Sequence, residues 1–417
     1  MANFPFVNSI NNIELNLKDD LIDLIKKNET RSRSLDIAPT DRKVLLEKVN
    51  AYTEEFLTNL GILKAYEGKG YDKFKEDQFF EIREDTLRVD QILSLLKTRI
   101  DQVGLNPASP GHLGYIPGGG IFEAAVGDYI AAVTNRYAGV FFASPGAVRM
   151  ENALIDWAGR LMGYKNNFAG NLTSGGSIAN LIAISTARHA KDITSKLVAQ
   201  SVIYTTQQSH HSIQKAIKIC GLEECTIRFV DLDENYRLTP EVLEKQIIED
   251  QKQGLHPFLI IANAGSTDTG AIDPIQQIAV IANKYDLWLH LDAAYGGFFM
   301  LSEYGKQKMK GIELADSIIL DPHKGMFIPY GSGIILVKNK KYLLEANNYE
   351  ANYMQDIKDH QEEYSPSELS PELSKHFRGM RLWLPLKLHG IDVFRACLEE
   401  KLGLAAYFNR MVKKTRV

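Results

Sequence analysis

Six short apolar runs, at residues 201–205, 227–230, 257–262, 287–291, 317–320 and 333–337, alternate with stretches of helical patterning. Their apolarity is continuous rather than alternating, so each run needs cover on both faces. That is the habit of a mainly parallel sheet clothed by helices. An α/β fold is expected, and ligands of open α/β sheets sit beyond the carboxyl ends of the strands. Residues with chemistry just past these runs are therefore the ones to weigh.

The bulk numbers bound the classes of function. At 417 residues the chain suits one large domain with smaller pieces, and 45% hydrophobic with 24% charged residues is ordinary for a globular protein. The formal charge of −4 is interspersed, with no basic stripe, so no nucleic-acid or membrane partner is expected. The three cysteines, Cys220, Cys225 and Cys397, show no Cys-x-x-Cys spacing, which fits a reduced, cytoplasmic compartment. No basic-then-apolar leader or long apolar span is present in the sequence, so a soluble, unsecreted protein is expected.

Residues 1–100 are expected to form a helical N-terminal segment. Leu17, Leu21, Leu24 and Ile25 share one face, and Leu45, Val49, Tyr52 and Phe56 another, with a polar basic link over residues 26–33. Two such helices bury little against each other and are expected to dock on the main domain or a second subunit. A large cofactor-binding domain is expected over residues 101–339, opening with the Gly- and Pro-rich loop at 107–120. Residues 340–417 are expected to comprise a mobile or partly disordered loop, to about His376, and then further helix.

Lys324 stands just past the run 317–320 in Asp321-Pro-His-Lys-Gly325. Read alone, it is a solvated lysine; on a tight turn in a dry pocket, its amine can form an imine with an aldehyde. Asp292 ends the run 287–291, and a buried carboxylate is expected to face something cationic. It suits either a salt bridge, a helix cap or the protonated nitrogen of a pyridine ring. A lysine that forms imines beside such a carboxylate suggests pyridoxal 5'-phosphate. His290 with Asp292 lacks a further ligand at metal spacing, so no metal is expected. Thr173-Ser-Gly-Gly-Ser177 leads into an apolar helical stretch, and is either a cap or linker or a phosphate cradle at a helix N-terminus. His210, in Ser209-His-His-Ser212, either caps the next helix or lies flat on a ring.

These four motifs in order, with Asp292-Ala-Ala-Tyr295 in full, resemble the group II pyridoxal-phosphate-dependent amino acid decarboxylases, the aromatic-L-amino-acid branch above all. The resemblance runs from about residue 100 to 400. It implies a type I aminotransferase-like fold, a homodimer with sites at the subunit interface, and a small C-terminal subdomain that this chain carries in truncated or divergent form. It implies that Lys324 links to the cofactor, Asp292 binds the ring nitrogen and His210 stacks on the ring. Ala294 would pack on the opposite face, Gly175, Gly176 and Ser177 would hold the phosphate, Thr267 would lie near the ring, and His323 would support the phosphate. The run 343–354 resembles the one leading to a loop tyrosine that protonates the substrate carbon, which implies Tyr353 as the acid, with Tyr349 and Tyr364 as alternates. Tyr115, Phe141, Phe142 and Ser374 fall where the branch contacts its substrate. The implied reaction is decarboxylation of an L-amino acid of the tyrosine, DOPA or tryptophan class to the amine and CO2. Glutamate, cysteine sulfinate or diaminobutyrate as substrate, aldehyde synthesis, and a binding-only homologue are the alternatives.

Overall fold

The computed structural model describes residues 19–68, 80–82, 84–347 and 363–415. The chain divides into two compact units, Met1–Leu113 and Gly114–Val417.

The first unit contains the helices Asp19–Ser32, Pro39–Thr58 and Val89–Leu96 and a two-strand ladder of β1 (Tyr66–Glu67) with β2 (Gly104–Leu105). The expected link at 26–33 is a correction: helix continues through Ser32, followed by a 3-10 turn at Arg33–Leu35. Its Lys, Glu and Arg residues are good helix formers, and Glu29 pairs with Arg33 one turn on. Val49, Tyr52 and Phe56 are half-buried, whereas Leu21, Leu24 and Ile25 stay exposed in the single chain.

The second unit is built on a seven-stranded sheet of order β3-β9-β8-β7-β6-β4-β5. The strands are β3 (Ala169–Thr173), β4 (Ser201–Thr205), β5 (Thr226–Phe229), β6 (His256–Asn263), β7 (Trp288–Asp292), β8 (Ser317–Leu320) and β9 (Gly333–Val337). Pairing is parallel from β8 through β7, β6 and β4 to β5, while β9 runs antiparallel to both β8 and β3. Five of the six expected strands therefore run together and β9 is reversed. β3 was not expected as a strand: with Gly170 and Asn171 inside it, it lacks the apolar run that marked the others.

Residues alternate between the two faces of the sheet. Leu289, Leu291, Ile318, Leu320, Ile334 and Leu336 enter one buried layer. Trp288, Ile319, Ile335 and Val337 enter the other, which the Gly176–Ala190 helix covers with Ala179, Ile182 and Ala183. Both faces are buried, so the unbroken apolar runs have their cause.

The expected loop at 340–376 needs correcting at both ends. Lys340–Asn347 is a helix that buries Leu343. Residues 363–378 are tied to the body of the unit: Phe141 N donates to Ser365 Oγ at 3.1 Å, Glu363 pairs with Arg149 at 2.8 Å, and buried Lys375 pairs with buried Glu151 at 2.7 Å. Short polar residues there had no periodicity to read because each contact is made across long sequence separations. The final helical segment, Gly379–Thr415, is broken at Gly390 (φ 73°, ψ 167°).

Candidate active site

Because β9 is reversed, the carboxyl ends of the other six strands and the start of β9 all lie along one edge of the sheet. A cavity of about 360 Å³ opens there. It is lined from the ends of β3, β4, β6, β7 and β8 and from the approach to β9, the crevice expected of an open α/β sheet.

The β3 end supplies Ser174, Gly175, Gly176 and Ser177. Gly175 caps the helix with φ 151°, a backbone conformation that L side chains rarely adopt. A Cβ on Gly176 would stand 2.9 Å from Asp321 Oδ2, so a side chain there would force the helix start or that carboxylate to move. The unpaired N–H groups of the first turn and the positive end of the 15-residue helix then face the cavity. An anion such as a phosphate ester fits that cradle.

Asp292 closes β7 with Asn180 Nδ2 donating to its Oδ2 at 3.2 Å and Ala294 N to its Oδ1 at 3.1 Å. The sequence led us to expect a cation against this carboxylate. Among the described residues no ion pair to Asp292 is present, and the donors are neutral, leaving its charge for something in the cavity.

Lys324 follows β8 on the short Pro322–Gly325 turn of helix. Its amine pairs with Asp321 Oδ2 at 3.1 Å, and His323 Nε2 lies 3.7 Å from the same oxygen. Burial pushes the Asp321 carboxyl above its usual range, against the pull of Lys324 and His323. Among the described residues its Oδ1 is buried with no hydrogen-bond partner. His323 Nδ1–H donates to the Ser332 carbonyl at 2.6 Å, which fixes the ring at the pocket wall.

His210 lies on the loop after β4, its Nδ1 2.7 Å from Ser212 Oγ and its ring centroid 4.1 Å from that of His211. Burial lowers its pKa from the ordinary 6.5, with Asp292 opposing. Thr267 and Ala294 complete the lining from β6 and β7, with Tyr295, whose hydroxyl burial pushes upward.

The nine residues singled out for a cofactor thus share one cavity. Tyr353 and Tyr349 lie outside the described residues, and Tyr364 is exposed away from the cavity, under Lys340 at 5.3 Å. The substrate candidates stand apart from this cavity in the single chain. Tyr115 and Phe142 are exposed, Phe141 is buried against Arg149, and none of these, nor Ser374, lines the cavity of the single chain. Sequence reading left Asn180, Ser212 and Asp321 without roles, although all three line the cavity. Asn180 had a signal, as the one amide in the apolar run 178–184.

Do these residues fit pyridoxal phosphate? A glycine cradle at a helix start, an unpaired carboxylate charge, an amine on the adjacent strand end and a half-buried imidazole match its phosphate, ring nitrogen, aldehyde and ring face in turn. The comparisons agree. An aromatic-L-amino-acid decarboxylase of Bacillus atrophaeus is 35% identical over 308 residues, 74% of this chain and 64% of that protein. A phenylacetaldehyde synthase of Arabidopsis thaliana is 28% identical over 346 residues, covering 78% and 69%. This chain therefore spans slightly less than two thirds of the Bacillus protein's length. The solved structure of Oryza sativa TDC with PLP and tryptamine superposes with a TM-score of 0.85 at 21% identity, covering 90% of this chain and 80% of that one. The fold is accordingly the type I aminotransferase-like α/β fold. The sequence model of the pyridoxal-dependent decarboxylase conserved domain matches residues 74–417, and the chain belongs to that family.

Proposed function

We propose that this chain is a carboxy-lyase that uses pyridoxal 5'-phosphate to convert an aromatic L-amino acid into its amine and CO2. The observation that carries the reading is the placing of Lys324 and Asp292 on adjacent strand ends around a cavity with a glycine-bounded helix N-terminus. Bound there, pyridoxal phosphate supplies an aldehyde for imine formation and a pyridinium ring that accepts the electron pair left behind by departing CO2.

Lys324 would be the amine that holds the cofactor aldehyde. The Asp321 carboxylate at 3.1 Å is a base within reach of the lysine proton, and its upward-shifted pKa suits the task. Asp292 would hold a proton at the ring nitrogen, and its neutral partners support that role. His210 would stack on one ring face and Ala294 would pack on the other. Gly175, Gly176 and Ser177 would hold the phosphate, with His323 beside it, and Thr267 would border the ring. Tyr353 donates the proton to the substrate carbon, a role supported by the resemblance of the run around it. Exposed apolar stripes on the Asp19–Ser32 helix support a homodimer, and a cytoplasmic location accords with the cysteine usage. No helix among the described residues is long and apolar enough to cross a membrane.

An aldehyde synthase is the second reading, favoured by the Arabidopsis relative. One experiment separates the two. The purified chain, loaded with pyridoxal phosphate, is offered a panel of amino acids while CO2, amine, ammonia and peroxide are followed together. CO2 with equimolar amine from an aromatic substrate is expected. Ammonia, peroxide and aldehyde would assign the second reading, and no CO2 from any aromatic amino acid would overturn both.

A further inference from the structure

Beneath the cavity, between the sheet and the Gly176–Ala190 helix, a line of polar groups crosses an otherwise apolar layer. Trp288, His290 and Asp292 alternate along β7 and so share the face that the helix covers. Trp288 Nε1 lies 2.9 Å from Ser317 Oγ, and that hydroxyl lies 2.9 Å from His290 Nδ1. His290 Nε2 lies 2.8 Å from Asn180 Oδ1. Asn180 Nδ2 reaches both Asp292 Oδ2 at 3.2 Å and Ser212 Oγ at 3.1 Å, and Ser212 Oγ reaches His210 Nδ1 at 2.7 Å. His290, Ser317 and Asn180 are at most 1% exposed.

The directions in this line are set from its Asp292 end. An indole N–H only donates and a carboxylate only accepts. Asn180 gives its amide nitrogen to Asp292, so its Oδ1 faces His290 and accepts there: neutral His290 carries its proton on Nε2, and its Nδ1 is left to accept from Ser317 Oγ, which receives the indole proton. The His290 contact holds the Asn180 amide nitrogen toward Asp292 and Ser212. Ser212 in turn gives its hydroxyl proton to His210 Nδ1, which also accepts from the Ser212 backbone N–H at 3.2 Å. His210 is left with its proton on Nε2. Burial, which depresses His290 to a pKa of about 4, agrees with the neutral form.

A buried amide and imidazole in an apolar layer are costly unless fully bonded, and here they are bonded only in this one arrangement. We propose that Asn180, aimed by His290, is a positioning residue of the site: it orients the Asp292 carboxylate toward the cofactor nitrogen with a neutral donor and joins His210 to the same network through Ser212. The role toward the ring rests on the pyridoxal phosphate reading; the bond directions do not.

The test uses the full chain labelled with ¹⁵N-histidine. In the cofactor-free wild type at pH 7, nitrogen shifts are expected to show His290 and His210 neutral and protonated on Nε2. Either ring protonated on Nδ1 would overturn the proposal without touching the proposed function. Asn180→Asp keeps the shape but replaces the donor facing Asp292 with an acceptor. It is expected to weaken pyridoxal phosphate binding by about 10- to 100-fold, the value of a hydrogen bond to a charged group, and more than Asn180→Ala does. It is also expected to draw a second proton onto His290, visible in the same spectrum. A space-filling residue would give the opposite ranking, with Ala worse than Asp, and an unchanged His290, and that result would overturn the proposal. A wild-type chain that captured no pyridoxal phosphate would instead sink the functional reading, while the tautomers would still decide the wiring.

Discussion

Gly176 shows how much a single missing methylene carries. Adding Cβ there forces it against the Asp321 carboxylate at 2.9 Å, so either the helix start or the partner of Lys324 must move. Gly176→Ala is expected to weaken pyridoxal phosphate binding by about tenfold, measured by fluorescence titration; unchanged affinity would remove the cradle from the account. Lys324→Ala is expected to abolish covalent capture: after borohydride reduction and peptide mapping, wild type carries a pyridoxyl group on Lys324 and the variant carries none. Modification of a different lysine in the wild type would reassign the imine. For Tyr353→Phe the expected result is CO2 release with amine lowered and aldehyde appearing; clean amine at the wild-type rate would give the proton to another group. That Lys324, Asp292 and His210 meet in one cavity was legible because each stands at the end of an apolar run or a turn motif. Asp321 was in plain view too, but that it would be the carboxylate against Lys324 depends on the turn of helix between them.

At the scale of elements, the segment at 363–378 is held by charge inside the fold. Lys375 and Glu151 are both buried and joined at 2.7 Å, with Asn171 accepting from the lysine and Gly379 N donating to Glu151 at 2.9 Å. Lys375→Ala strands the carboxylate and is expected to cost about 3–5 kcal/mol, read by urea unfolding; pairing it with Glu151→Leu should recover most of the loss. If the single variant is as stable as wild type, the pair anchors nothing. His290 makes an element-scale prediction in pH. Its folded pKa of about 4 lies below the ordinary 6.5, so the unfolded chain binds the proton first and stability falls as pH drops from 6.5 toward 4. Its share by pH 5 is about 2 kcal/mol, and the difference between wild type and His290→Asn at pH 7 and pH 5 measures it. Equal acid sensitivity in the two would place the titration elsewhere. The strands themselves were readable to within a residue or so, because burial on both faces leaves an uninterrupted apolar signature. β3 was not, because a Gly and an Asn let it pack against Ile155 and bond the 366 carbonyl instead.

For the whole molecule, the proposed homodimer predicts a sedimenting mass twice the chain's 46.8 kDa. Equilibrium sedimentation of the full chain checks it, and a concentration-independent monomer that still turned over substrate would remove the subunit interface from the mechanism. Phe142 and Tyr115 bear on the same question. Both are exposed in the single chain, where a substrate-facing aromatic has no cause to be, so their resemblance-based role depends on what an assembled particle places near them.

Local chemistry decided which residues could act: an amine, a carboxylate, an imidazole and glycines stand at strand ends and a helix start, and the period of apolar residues locates those ends. Covalent order and side-chain type suffice for that much. Which carboxylate meets which cation was a matter of packing. Asp292 was expected to face a positive charge and instead receives two neutral donors, while Lys324 turns to the neighbour three residues back. The Asn180–Asp292 bond and the links from Trp288 through His290 and Asn180 to Ser212 join residues 27 to 112 positions apart, and no local pattern encodes a distance of that kind.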